Sequence, residues 1–329
     1  MKIVYLKPKS TFPFLSSDSL FGAITYALSE LYPDKLDDFL TRFEDKKNLP
    51  FLISSAFPFL KSGDEYCRFY PKPLSKFQSK DVISYKKFKK IKFLEESIFI
   101  DLVSGNIDNR QLFDSFVKKE FLINENNKSF LFKKENNDLL NDNFFSTEIA
   151  PHNVIDRINY NSMNIFYSSN YRFKENKGLF FLVDFLDNSF EEIFLAALKY
   201  LRDRGFGKDI STGNGQFDFE IDDFDVFDEI NSSEKGQYFL ALSRFIPDSE
   251  DINSISKASL SSLLYELGDK QSRDSFGLRK KTRFFKEGSI FPFYSKYCGS
   301  LVETSDKSVE YGYSFNIRYN QEELWWIKK

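Results

Sequence analysis

Leu201–Glu220 reads LRDRGFGKDISTGNGQFDFE and places four of the chain's fourteen glycines, Gly205, Gly207, Gly213 and Gly215, in one short stretch. Before it, Phe190, Ile193, Phe194, Ala197, Leu198 and Leu201 recur at helical spacing and make one apolar face. Ser189 and Glu192 stand at capping-box spacing, and Lys199, Arg202 and Arg204 put positive charge at the negative end of the helix dipole. Gly205 then supplies the left-handed residue that closes the helix. Beyond the loop, Phe217, Phe219 and Ile221 alternate with polar residues, the pattern of a half-buried strand. The order is helix, glycine loop, strand.

That order excludes dinucleotide-binding and Walker-type loops, which run from strand to helix, and neither G-x-G-x-x-G nor G-x-x-x-x-G-K-[ST] occurs. Two readings of the loop remain. Glycines let a backbone approach a ligand and turn several N–H groups toward one anion, for which a phosphodiester is well suited. They also serve a plain helix-to-strand connection that needs positive φ.

A chain of 329 residues suffices for one large domain or two medium ones. A net charge of −3 excludes a general polycation, so nucleic-acid binding has to rest on local basic surface. Two such clusters exist: Lys86, Lys87, Lys89, Lys90 and Lys92, and Arg279, Lys280, Lys281, Arg283 and Lys286. The acidic run Asp218–Glu229 suits solvent or a basic partner. The 40 Phe and 17 Tyr exceed what a core of aliphatics requires; they reflect a bias toward Phe, Asn and Lys, or rings that stack on bases or enter partner subunits. Cys67 and Cys298 form no C-x-x-C pair, which fits a reducing cytosol. With no signal peptide and no long apolar span, a cytoplasmic protein is expected, with no membrane contact. His152 is the only histidine, which argues against zinc sites of the usual type and two-histidine catalysis; no cofactor is expected.

Along the chain, Met1–Leu6 reads as a strand and Ser16–Asp18 as the cap of a helix bearing Leu20, Phe21, Ile24, Ala27, Leu28 and Leu31. Phe51–Leu60 reads as a second strand and Arg110–Phe121 as a helix. Asn124–Asn143 reads as a mobile excursion, and Ile165–Tyr167 with Leu179–Leu186 as a hairpin-like pair. The first part is thus strand, helix, strand, long insertion, strand, helix, glycine loop, strand. This is the βαββαβ order of the ferredoxin-like fold used by RNA-recognition modules. The expected class is α+β with two ferredoxin-like domains. The first spans 1–225, with an insertion at about 75–150 between its second and third strands and the glycine-rich loop at 205–215. Residues 222–229 are a linker, and 236–329 a second, degenerate copy. That copy has a strand at Gln237–Phe245, a helix near Lys257–Leu267, basic strands around Phe276–Phe285 and Ser289–Phe293, and a last strand at Tyr313–Tyr319.

The segments SDSLFGA (17–23), FPF…YPKP (57–73), KKFKKIKF (86–93), HNVIDR (152–157), GFGKDISTGNGQF (205–217) and FFKEGSIF (284–291) occur in this order. As an ordered set they resemble the repeat-associated (RAMP) superfamily of CRISPR proteins. The resemblance, which spans nearly the whole chain, is strongest to the fourth subunits of type III-A Csm effector complexes, which cap the crRNA 5′ end. It implies a non-catalytic subunit that holds the repeat-derived 5′ handle. Its implied partners are the crRNA, a large polymerase-type subunit and a backbone RAMP subunit, with no small-molecule substrate. A thumb is implied within residues 75–150. The RNA-binding residues then expected are Ser17; Lys86, Lys87, Lys89 and Lys90; His152, Asn153, Asp156 and Arg157; Gly205, Gly207, Lys208, Ser211, Thr212 and Gly213; and Arg279, Lys281 and Arg283.

Within HNVIDR, Arg157 suits bidentate phosphate contact, and His152 and Asn153 suit a splayed base; P-H-N is also a good turn, and Asp156 can pair with Arg157. Two enzymatic alternatives stand beside the binding role. One is a metal-independent endoribonuclease that processes precursor crRNA with His152 as acid or base. The other is a backbone subunit that cleaves target RNA through an Asp, for which Asp18 is the candidate.

Overall fold

The computed structural model describes residues 1–329 apart from 78, 141, 157, 160, 161, 208, 209, 234, 235, 260, 261, 272, 275, 276, 306, 307, 322, 323 and 327–329. The chain opens with β1 (Lys2–Pro8), α1 (Ser17–Leu31), α2 (Leu36–Arg42), β2 (Phe51–Ile53), β3 (Phe57–Ser62) and β4 (Glu65–Pro71). A long excursion follows: β5 (Lys76–Phe77), α3 (Val82–Lys89), β6 (Phe93–Glu95), α4 (Glu96–Val103), α5 (Asn109–Val117), β7 (Phe121–Ile123), β8 (Phe130–Lys133), α6 (Asn137–Leu140), β9 (Phe145–Ile155) and β10 (Ser162–Phe173). Then come β11 (Lys177–Phe185), α7 (Phe190–Arg204) and β12 (Phe217–Asp223). The remainder holds α8 (Asp228–Ser232), β13 (Tyr238–Ala241), α9 (Ser249–Ser256), β14 (Leu267–Lys270), β15 (Arg273–Asp274), β16 (Gly277–Leu278), β17 (Thr282–Phe285), β18 (Ile290–Pro292), β19 (Leu301–Ser305), β20 (Ser308–Tyr311), β21 (Asn316–Tyr319) and β22 (Trp325–Trp326).

This is a mixed α+β fold with several sheets. The largest runs β12-β1-β11-β3-β4-β6-β8-β7, with β2 also paired to β11. Val4 of β1 lies opposite Phe181 on one side and Ile221 on the other, so the three side chains share a face. Phe194 of α7 packs against Phe181 on that face. The periodicity of α7 is realised, with Phe190, Phe194, Ala197, Leu198 and Leu201 buried. Its expected capping box is absent: the Asp187 carboxylate instead accepts from the Ser189 N–H (2.9 Å) and hydroxyl (2.7 Å).

The opposite sheet face is covered. Tyr70 of β4 stacks on Phe99 of α4 (4.7 Å) and meets Phe180 of β11 (5.2 Å) and Phe227 (5.3 Å) edge-on. The acidic stretch 222–229 is therefore not a free linker, because Phe224 and Phe227 within it are buried on this face. RNA-recognition modules stack bases on such a face. Here Tyr5, Phe180 and Tyr70 are closed off by protein.

Other expectations change as well. Phe51–Leu60 splits into β2 and β3, with the Ser54 hydroxyl between them accepting from the Leu182 N–H at 2.9 Å. The helix expected at Arg110–Phe121 is α5, started by a capping box on Asp108 and ended before Phe121, which enters β7. Asn124–Asn143 is not a mobile excursion. Phe130, Phe132, Leu140 and Phe144 form their own buried cluster with Phe69, and buried Asn124 binds the carbonyls of Leu140 and Asp142. Ile165–Tyr167 pairs with Pro151–Asn153 inside the β9–β10 hairpin, whereas β11 joins the main sheet. The helix expected near Lys257–Leu267 forms earlier, as α9, because Asp248 and Asp251 make the capping box; Leu267 already belongs to a strand.

β18-β13-β21 forms a second, three-stranded sheet. Its side of the molecule shares one apolar core with the first sheet: Tyr311 stacks on Phe21 (4.9 Å), and the Tyr313 hydroxyl donates to the Phe43 carbonyl. Buried Asp18 at the start of α1 binds Arg244 (3.1 Å) and Lys270, and Lys270 also binds Glu310 (2.9 Å).

Candidate nucleic-acid interface

The glycine loop is tied down at both ends. Gly205 donates to the Leu201 carbonyl at 2.8 Å and ends α7 with φ +92° and ψ 163°. That conformation is essentially confined to glycine, but it is extended in ψ rather than the left-handed helical turn expected. Phe206 N–H donates to the Gly215 carbonyl (2.8 Å), and Gly215 N–H to the Thr11 carbonyl (2.9 Å). A Cβ on Gly215 would stand 1.8 Å from the Phe206 carbonyl oxygen, whereas one on Gly213, at φ +88°, would meet open space. Gly213 N–H is spent on the Ile210 carbonyl (3.0 Å). Several N–H groups expected to line an anion nest thus hold the loop to itself and to the segment after β1. Ser211 and Thr212 are exposed in the turn between Gly207 and Gly213. Lys208 lies outside the described residues.

The same segment after β1 anchors the β9–β10 hairpin. Phe12 N–H donates to the Tyr171 carbonyl at 2.8 Å, and Phe14 packs edge-on against Phe145 (5.2 Å) and Tyr171 (4.9 Å). Above this base, His152 lies opposite Phe166, stacks on it at 5.0 Å, and has Nε2 2.7 Å from the Ser168 hydroxyl. The Ser162 hydroxyl donates to the Asn153 side-chain oxygen at 2.7 Å. Asp156 accepts from the Ile158 N–H (2.8 Å) and the Asn159 amide (3.2 Å), so it builds the hairpin turn. Arg157 lies outside the described residues.

Glycine loop and hairpin, far apart in sequence, wall one cleft of about 850 Å³ lined by Thr11, Pro13, His152, Phe166, Phe206 and Gly207 among others. The aromatic faces of His152 and Phe166 suit stacking on a base. Thr11, Pro13, Phe166 and Phe206 were not expected as site residues. Thr11 and Pro13 were signalled only by following a strand end, Phe206 by lying within GFG, and Phe166 only by its place in a strand expected at Ile165–Tyr167.

The remaining expected residues do not line this cleft. Lys86, Lys87, Lys89 and Lys90 are exposed on and after α3. Burial, with the Lys89 charge adding to it, lowers neighbouring Lys72 to about 8. On the β14–β17 hairpin, Lys281 (2.8 Å) and Arg283 (3.0 Å) share the Asp269 carboxylate, whose pKa they hold below the ordinary value, and the Arg279 carbonyl accepts from Gln271. Ser17 corrects the expectation outright. Its side chain is fully buried, with the hydroxyl accepting from the Arg244 N–H at 3.0 Å. Asp18, locked by Arg244 and Lys270, is not presented to a ligand either. Among the described residues no group of His, Cys, Asp and Glu could hold a metal ion, and no helix is long and apolar enough to cross a membrane.

A family model described as the RAMP superfamily matches residues 4–218, well over half of the chain, and the chain belongs to that superfamily. Within it, the chain resembles Csm4 of the type III-A CRISPR complex. The CRISPR system Cms protein Csm4 of Thermococcus onnurineus (strain NA1) is 26% identical over 295 residues, covering 87% of this chain and 85% of that protein. Among solved structures, a chain of the Csm3–Csm4 subcomplex in the type III-A CRISPR-Cas interference complex superposes with a TM-score of 0.71 at 21% identity. That match covers 97% of this chain and all of the other. A chain of the Csm1–Csm4 cassette in complex with pppApA gives 0.57 at 19% identity, with 98% of each chain covered. At these identities the structural likeness concerns the fold.

Proposed function

We propose that this chain is a non-catalytic, crRNA-binding subunit of a type III-A CRISPR effector complex that holds the repeat-derived 5′ handle in antiviral defence. The observation that carries this reading is the cleft between the tied-down glycine loop and the His152/Phe166 face of the β9–β10 hairpin. A rigid backbone wall opposite aromatic faces suits a single strand with splayed bases. Likeness to Csm4, which is solved in a subcomplex with Csm3 and in a cassette with Csm1, supports a place between a backbone subunit and the large polymerase-type subunit.

The strand order β12-β1-β11-β3 is the 4-1-3-2 order of a ferredoxin-like unit and supports that reading for the first part. The insertion then runs from β4 to β10, longer than residues 75–150, and the β9–β10 hairpin is its thumb. The three-stranded sheet with α9 is the degenerate second copy. The nuclease alternative is disfavoured because Asp156 spends its carboxylate on the hairpin turn rather than on His152.

The test is incubation of the purified chain, alone and in the complex, with repeat RNA. Retention of the handle without cleavage is expected, weakened by His152→Ala. Cleavage by the chain alone that His152→Ala abolishes would overturn the reading.

A further inference from the structure

A second, half-open hollow lies apart from that cleft, where β11 meets the three-stranded sheet. Asp184, Phe293, Tyr297, Lys296, Phe315 and Arg318 are among the residues around a cavity of about 300 Å³. Ligand pockets span roughly 300–1,000 Å³, so this one is of nucleobase size rather than cofactor size.

Its charged groups are unequally provided for. Arg318 is fixed, with Nη1 donating to the Gly236 carbonyl at 2.8 Å and its guanidinium 3.2 Å from the Phe293 ring centre. The Lys296 ammonium lies 5.1 Å from the Tyr297 ring centre, and the residue is exposed. Asp184 is half-buried, and its side chain has no hydrogen-bond or ion-pair partner among the described residues. Burial pushes its carboxyl up, while the Met1 amino group and Lys296 pull the other way from beyond ion-pair distance.

A half-buried carboxylate that no protein donor occupies is open to donors from a ligand. Two adjacent N–H groups on a ring edge match its two oxygens, aromatic walls match the ring faces, and a lysine matches a ring carbonyl. Guanine carries that set in one plane, with imide N–H and amino group beside a carbonyl. Adenine and cytosine present an amine beside an acceptor, and uracil flanks its one N–H with carbonyls that a carboxylate repels.

We propose that this cavity holds a guanine base, with its N–H edge on Asp184 and its carbonyl toward Lys296. The base comes from a free guanine nucleotide or from an unstacked position of RNA. The proposal shares no residue with the cleft, so either can fail alone.

Calorimetric titration of the full chain with GMP, IMP and AMP tests it, with a short single-stranded RNA containing one guanine as competitor. GMP should bind saturably, and IMP, which lacks the amino group, about tenfold or more weaker. Asp184→Asn should erase the preference for GMP over IMP without moving the thermal melt. Lys296→Ala should weaken both while keeping that preference. Displacement of GMP by the RNA names RNA as the source, and GMP binding without displacement names the free nucleotide. Equal binding of GMP and AMP overturns the proposal. So does a site open in the isolated chain but closed in the complex, which would give the cavity to a partner's planar side chain. If Asp184→Asn unfolds, the GMP–IMP comparison on the native chain still decides.

Discussion

The two walls of the cleft are built on opposite plans. The glycine loop is held by backbone hydrogen bonds at both ends, and positive-φ residues fold it against the segment after β1. The β9–β10 hairpin is a two-stranded sheet of its own, pinned by an aromatic cluster at its base, with Ile149, Ile165, Phe166 and Tyr167 exposed above it. One wall is a fixed surface and the other presents side chains. If the cleft takes RNA as proposed, shape comes from the loop and base preference from the hairpin.

The sharpest break of that contrast lies within the loop itself. Gly215→Val drives a side chain into the Phe206 carbonyl and should cost about 3 kcal/mol or more of stability, read by urea denaturation. Gly213→Ala meets open space and should cost only the left-handed backbone, about 1–2 kcal/mol. Equal losses would mean that the loop is not anchored through Gly215.

On the hairpin the same measurement should barely move. His152→Ala or Phe166→Ala should change stability by no more than about 0.5 kcal/mol, since both rings project above the anchored base. RNA binding by the assembled complex should nonetheless lose preference for the handle over unrelated sequence. A stability loss as large as that of Gly215→Val would make the hairpin structural instead.

The smallest effects belong to the two basic clusters, which look alike in sequence and differ in structure. Lys87, Lys89 and Lys90 are exposed around the end of α3, whereas Lys281 and Arg283 are shared by Asp269. If the α3 lysines meet phosphates, changing these three to Ala should lower the log-affinity versus log-salt slope by about 2, at roughly 0.7 per phosphate for single strands. Lys281→Ala with Arg283→Ala should lower it less, and Asp269→Asn should raise it. An unchanged slope in the triple-lysine variant would assign α3 to a protein interface.

The sequence carried what depends on local pattern. The helical period of α1 and α7, the alternation of β12, the glycines between, and the ordered segments that resemble the RAMP superfamily were all legible. The place of His152, the one histidine, within the HNVIDR segment was legible too, but its position in the cleft was not. Each of these is decided by neighbours a few residues apart, where spacing and backbone preference act directly.

Only the tertiary structure decided the rest. Ser17 reads as part of a helix start, yet its side chain is sealed beneath Arg244, more than two hundred residues away. Phe224 and Phe227 sit in an acidic run that looks solvated until the sheet face they cover is known. Asp269 offsets two cations through the register of β14 on β17, and Asp184 faces a cavity only because two sheets meet there. Burial and charge pairing depend on which strands become neighbours, and long-range pairing leaves no periodic mark in the chain that makes it.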